Sequence, residues 1–144
     1  MDSINGLLGK SEQLSFIKVI TFGTFDVFHV GHLNILERAA AMGNLIVGVS
    51  SDDLSFQKKG RYPVYNQNDR MRIVAALSCV EGVFLEQSLE LKGDYIRNYA
   101  ADILVMGDDW KGKFDNFSNT CKVVYLPRTP SISTTKIIEI VKSI

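Results

Sequence analysis

From Lys18 onward, short apolar runs alternate with stretches whose apolar positions recur at helical spacing. The runs 19–22, 45–49, 83–85, 103–106 and 123–126 are nearly continuous in apolar character, as strands of a parallel sheet buried on both faces are. Between them, 32–42 sets Leu33, Leu36, Ala39 and Ala40 at helical spacing, with Gly43 as a stop. A second helix over 69–77 groups Met71, Val74 and Leu77, a third covers 94–99, and a last one over 134–141 carries Ile137, Ile138 and Val141. The polar, basic segment 52–66 contains Gly60 and Pro63 and reads as a long loop. Residues 1–17, small and polar with scattered apolar positions, read as an N-terminal extension to a single domain over 18–144.

Strands alternating with helices predict right-handed β-α-β units. The fold class is therefore α/β: a Rossmann-like, doubly wound, parallel five-stranded sheet with helices on both faces. Such sheets take ligands at the carboxyl ends of their strands, near the point where strand order reverses. That singles out the loops after the first, second, fourth and fifth strands.

The composition narrows the classes further. A chain of 144 residues that is 46% hydrophobic and 22% charged is an ordinary globular domain, which excludes disorder, collagen and coiled coil. Sixteen basic residues balance sixteen acidic ones, so no broadly cationic, nucleic-acid-binding surface is expected; a local anion site remains open. Cys79 and Cys121 are too few and too far apart for a disulfide scaffold or a structural zinc site, and read as buried hydrophobes in a reducing compartment. No apolar run is long enough to span a membrane and no secretory signal opens the sequence, so a cytoplasmic location is expected.

The four loops carry the chemistry. After the first strand, GTFDVFHVGH brings His29, Gly31 and His32 to a helix start, where free N–H groups and the helix dipole favour phosphate. Gly31 there lets a ligand approach the backbone. These are the only two histidines of the chain, and no third His or Cys is at hand to complete a metal site. After the second strand, Lys58, Lys59 and Arg61 surround Gly60 as candidate clamps for a polyanion. After the fourth, GDDWKGKF approximates a P-loop but has Phe114 where Ser or Thr must reach magnesium; Asp109 could instead accept from ribose hydroxyls, with Trp110 near a base. After the fifth, RTPSISTTK enters the last helix, with Ser133 or Thr134 as its N-cap. Neither this helix start nor the one at His32 carries an acidic side chain. Both read as uncapped by carboxylate and suited to holding a triphosphate between them.

GTFDVFHVGH, MGDDWKGKFD and VVYLPRTPSISTTKI together resemble the HxGH nucleotidyltransferase superfamily and, within it, the glycerol-3-phosphate cytidylyltransferases, over nearly the whole chain from Lys18 to Val141. The resemblance implies transfer of CMP from CTP to sn-glycerol 3-phosphate, giving CDP-glycerol and pyrophosphate, with Mg2+ carried on CTP and a homodimeric assembly. By motif position, Thr24, Phe25, His29, Val30, Gly31 and His32 would hold CTP, both histidines stabilising the transition state. Lys58 and Lys92 would contact the acceptor's phosphate, and Arg61, or Lys59 in its place, would reach CTP. Arg128, Thr129, Pro130, Ser131, Ile132, Ser133, Thr134 and Thr135 would hold the triphosphate and cytidine. The sequence departs from the pattern at Val30, where the family often has Trp, at Pro130 and Ser131 in place of Glu-Gly, and at Ser78 in place of a basic residue.

A phosphate monoester is already an anionic nucleophile at pH 7, because its second pKa lies near 6. The implied reaction thus needs positioning and charge neutralisation, by His29, His32, Lys58, Arg128, Mg2+ and two helix starts, more than a general base. The alternatives are a sibling enzyme for phosphocholine, phosphoethanolamine or a sugar alcohol phosphate, with Tyr62 and Tyr65 as aromatic faces for a cationic acceptor; an adenylyltransferase; and a catalytically silent nucleotide sensor.

Overall fold

The computed structural model describes residues 16–144. All but the last two residues of the expected extension at 1–17 lie outside the described residues, while Ile17 packs against the core. The five strands are β1 (Lys18–Gly23), β2 (Asn44–Ser50), β3 (Gly82–Glu86), β4 (Ile103–Gly107) and β5 (Lys122–Leu126). They form one sheet in the order β3-β2-β1-β4-β5, with every neighbouring pair parallel. Strand order reverses beside β1, so a crevice opens where the carboxyl ends of β1 and β4 diverge.

Alternation along β1 explains how one strand serves two cores. Val19 faces a cluster with Leu36, Ala39, Val74 and Val105, whereas Ile20 and Phe22 face another with Ile96, Leu104 and Met106. The first cluster is covered by α1 (Val30–Ala40) and α3 (Gln67–Ala75), the second by α4 (Lys92–Asn98). The last helix, α5 (Thr134–Ser143), follows β5. Cys121 is buried as expected and Cys79 only half-buried; both are free thiols.

The expected long loop over 52–66 is corrected in its first half. Asp52–Lys59 forms a helix, α2, whose start is capped by the Ser51 hydroxyl accepting from Leu54 N and whose end is closed by Gly60 at φ 74°. Only Leu54 and Phe56 are apolar within it, too few to reveal a helical period. The capping residues, the acids of its first turn (Asp52, Asp53) and the bases of its last (Lys58, Lys59) are the signals that mark it.

One buried cation ties this half of the molecule together. Arg70, on α3, is fully buried. Its guanidinium donates to the carbonyls of Tyr65 (2.9 Å), Thr24 (2.8 Å) and Ser50 (2.8 Å), and to the Asp52 carboxylate at 2.7 Å. The loop after β1, the end of β2, the start of α2 and the segment before α3 thereby converge on one side chain. Removing it takes a donor from each of three carbonyls and the counter-charge from Asp52. Arg70→Met, which keeps most of the volume, is expected to lower unfolding free energy by about 3 kcal/mol in urea titrations; a loss under ~1 kcal/mol would show that water replaces the guanidinium.

Candidate active site

A cleft of about 220 Å³ lies in the crevice between the β1 and β4 ends, and a lobe of about 150 Å³ adjoins it between α1 and the start of α5. The two share His32, Ile35, Lys59, Arg128 and Thr134 in their walls. A larger hollow of about 490 Å³ opens at the opposite, amino ends of the strands beside Gly43 and Glu81. It has Glu37 and Glu81 as its charged walls and none of the residues proposed from the sequence to bind nucleotide or acceptor, so volume alone does not mark the site.

His29 caps α1: its Nδ1 accepts from Gly31 N at 3.0 Å, while His32 Nδ1 accepts from His29 N at 3.3 Å. No carboxylate caps this helix start, as expected, but the histidines themselves cap it, so its amides are not all left bare for a ligand. The two rings stack with centroids 3.8 Å apart. Gly31 is required for this packing, since a Cβ there would lie 2.8 Å from the His29 ring. The space that Gly31 frees is filled by imidazole, and the expected close approach of a ligand to its backbone is not what the glycine serves.

These hydrogen bonds fix the chemistry of both rings. A nitrogen that accepts a backbone N–H carries no proton, so each imidazole is the tautomer protonated on Nε2, and Nε2–H is the donor left for a ligand. Burial, followed by the charges of His29, Lys59 and Arg128, pushes His32 down to about 3. Burial and then Arg128 also lower His29. Both are therefore neutral hydrogen-bond donors at physiological pH.

The other walls supply positive charge. Lys58 donates to Ser50 Oγ at 2.9 Å, Ser50 Oγ donates to Glu86 Oε1 at 3.0 Å, and Glu86 Oε2 accepts from Lys92 Nζ at 2.6 Å. Burial lowers Lys58 to about 8, against the opposing pull of Glu86. Lys59 is also lowered, by burial and then by Arg61. Arg128 stands half-exposed, 3.7 Å from Asp109.

The late motif is stitched to the first. Thr134 Oγ1 donates to Asp26 O at 2.8 Å, Asn34 Nδ2 donates to Thr129 Oγ1 at 2.9 Å, and Arg61 reaches Thr135 Oγ1 at 3.4 Å. Ser133, rather than Thr134, caps α5 by accepting from Lys136 N at 3.1 Å. Neither α1 nor α5 has an acid in its first turn, as expected.

Of the residues singled out from sequence, the main cleft collects Thr24, Phe25, His32, Lys58, Lys92, Asp109, Trp110, Arg128 and Thr134. The adjoining lobe adds His29, Gly31, Thr129, Ile132, Ser133 and Thr135. Val30, which is exposed, and Pro130 and Ser131 line neither. Between the two cations left open, Lys59 lines both lobes and Arg61 stands at the rim. Sequence reasoning missed Asp26 and Glu86. The buried Asp26 carboxylate accepts from Val64 N (2.7 Å) and Tyr65 N (2.9 Å), between two left-handed non-glycine residues, Phe25 at φ 54° and Val27 at φ 46°. Its place inside the first motif was the available signal. Glu86 ends β3, the one strand whose following loop had not been singled out.

Comparison with known proteins agrees with this geometry. The cytidylyltransferase-like family model matches residues 20–140. The chain is similar to the glycerol-3-phosphate cytidylyltransferase of Bacillus subtilis (strain 168), 46% identical over 123 residues that cover 85% of this chain and 95% of that one. It is 40% identical over 121 residues to the glycerol-3-phosphate cytidylyltransferase of Staphylococcus aureus (strain NCTC 8325 / PS 47), covering 83% and 91% of the two chains. Among solved structures, the lipopolysaccharide core biosynthesis protein from Thermoplasma volcanium GSS1 superposes with a TM-score of 0.69 at 25% identity, over 78% of this chain and 98% of that one.

The low pKa of His32 has a measurable consequence. The folded chain keeps this ring neutral while the unfolded chain protonates it below pH 6.5, so stability is full above pH 6.5 and is lost as pH falls toward 3. Between pH 7.5 and 5, wild type is expected to lose about 1–2 kcal/mol more unfolding free energy than His32→Gln. Equal losses in chemical denaturation would show that the ring charges freely in the folded state.

Proposed function

The chain belongs to the cytidylyltransferase-like family, and we propose that it transfers CMP from CTP to sn-glycerol 3-phosphate, giving CDP-glycerol and pyrophosphate. The observation that carries this reading is the cleft itself: His29 and His32, with Nε2–H as their free donors, line one lobe together with Lys59 and Arg128, and the hydrogen-bonded Lys58–Ser50–Glu86–Lys92 chain lies at the main cleft. In this reading the triphosphate lies between α1 and the start of α5, where Lys59 and Arg128 offset its charge. The acceptor phosphate meets Lys58 and attacks the α-phosphorus in line; pyrophosphate leaves on the opposite side.

The histidines donate to the α-phosphate oxygens as charge builds there, without giving up a proton. The acceptor, a dianion at neutral pH, supplies its own nucleophilic oxygen. Among the described residues no three His, Cys, Asp or Glu side chains cluster, and a magnesium ion that comes with a nucleotide needs only one or two carboxylates. Magnesium carried with CTP would add charge neutralisation to that of Lys59 and Arg128, which line the lobe assigned to the triphosphate.

The rival of a cationic acceptor gains nothing from the tyrosines that suggested it. Tyr62 pairs with Phe56 at 4.7 Å, stands exposed like Tyr65, and neither lines the main cleft. The same proposal includes a homodimer and a cytoplasmic enzyme. No helix among the described residues is long and apolar enough to cross a membrane. On α5, Ile140 and Val141 are exposed and available to a second copy.

Pyrophosphate release with CTP or ATP, magnesium and a panel of phosphoalcohols tests the reading. Turnover with CTP and glycerol 3-phosphate is expected to exceed every other pairing by at least about tenfold in kcat/KM. A preference for ATP or for another phosphoalcohol would replace the assigned substrates, and CTP binding without turnover on any acceptor would replace the enzyme with a sensor.

A further inference from the structure

Lys92 lines the end of the cleft that the proposed function gives to the acceptor. The side chain is almost wholly buried, yet its end forms part of the cleft wall beside Glu86 and Leu89. Its ammonium lies 3.7 Å from the centroid of the Phe22 ring and 5.2 Å from that of Phe114, and it donates to Glu86 Oε2 at 2.6 Å. A carboxylate flanked by aromatic faces is the chemistry that recognises an alkylammonium group. Here the protein's own ammonium has taken that seat.

We propose that the Lys92–Glu86 pair, seated on Phe22, is the acceptor-selectivity element of the cleft, excluding ammonium-bearing phosphoalcohols and admitting neutral polyols. The inference rests on the acceptor end assigned under the proposed function. A second ammonium entering this end meets Lys92, whose burial weakens the screening of the repulsion, and Glu86 is already engaged by Ser50 and Lys92. A hydroxyl suffers no such repulsion: it can donate to a remaining lone pair of Glu86, which has capacity for about four hydrogen bonds. Selection therefore works by making the wrong substrate unwelcome as much as by binding the right one.

The test is the ratio of kcat/KM for O-phosphoethanolamine to that for glycerol 3-phosphate, with CTP, in wild type, Lys92→Met and Lys92→Met/Glu86→Gln. The ratio cancels any contact that Lys92 makes with the phosphate common to both acceptors, and any general loss of activity. In Lys92→Met the freed Glu86 and Phe22 receive the substrate's ammonium, and the ratio is expected to rise at least about tenfold. The double variant removes the buried pair together, so it avoids the uncompensated Glu86 of the single variant and keeps the ratio measurable where the single one does not fold. Its ratio is expected to rise about threefold, because the repelling cation is gone but the attracting carboxylate is too. A ratio within about twofold of wild type in the double variant, or in both, overturns the inference. Wild type that prefers phosphoethanolamine overturns both this inference and the acceptor assignment, whereas wild type that prefers glycerol 3-phosphate, with unmoved variant ratios, overturns this inference alone.

Discussion

Four cations share the wall of one small cleft, and the rest of the site is organised by the need to hold them there. Lys58, Lys59, Lys92 and Arg128 face a space that also holds three carboxylates, Asp26, Glu86 and Asp109. Asp26 is committed to two backbone amides, Asp109 reaches Arg128 at only 3.7 Å, and Glu86 must serve both Lys92 and, through Ser50, Lys58. Like charges this close destabilise the empty protein unless rigid structure supports them. Arg70 helps supply that support from behind, its own charge satisfied by three carbonyls and Asp52 rather than by the cleft's carboxylates. The result is a cleft with more cations than carboxylates in its walls, as the proposed transfer between two phosphorylated molecules needs.

The state of the histidines follows from the same constraint. Further positive charge beside Lys59 and Arg128 would be costly, and the backbone N–H groups that hold each Nδ1 require the neutral ring. In the proposed transfer the rings act as fixed, uncharged donors, so transition-state charge is met by groups that need not reorganise. The helix start is no bare anion hole, since part of its hydrogen-bonding capacity goes into orienting the histidines. The HxGH spacing is then mechanical: His32 reaches back to His29 N one turn earlier, and Gly31 gives the His29 ring room to fold over.

Much of the fold was legible because its signals are local. Five apolar runs marked five strands, and Leu36, Ala39 and Val74, all expected on helices, are in the core. What escaped depends on distant partners or on caps. The helix α2 shows itself through Ser51 and Gly60 rather than through a stripe of apolar residues. The importance of Arg70 lies in carbonyls 5, 20 and 46 positions away, which no spacing rule connects. At the site, motif positions located most of the cleft-lining residues. The pairing of Lys92 with Glu86 was hidden because it joins a helix to the end of a strand six residues earlier, across a turn without a recognisable motif. Val30, Pro130 and Ser131, where the sequence departs from or occupies the resembled motifs, stand outside the cleft walls, so these three changes leave the cations and histidines in place.

The central claim is that a cleft of fixed donors and cations drives one direct displacement between two anions, with no phosphorylated or nucleotidylated side chain on the way. The stereochemical course at the α-phosphorus tests it most directly, using CTP made chiral at that centre by sulfur and oxygen-isotope substitution. One in-line displacement inverts the configuration, and inversion in the CDP-glycerol formed is the predicted result. Retention would require two displacements through a covalent enzyme intermediate and would contradict the account.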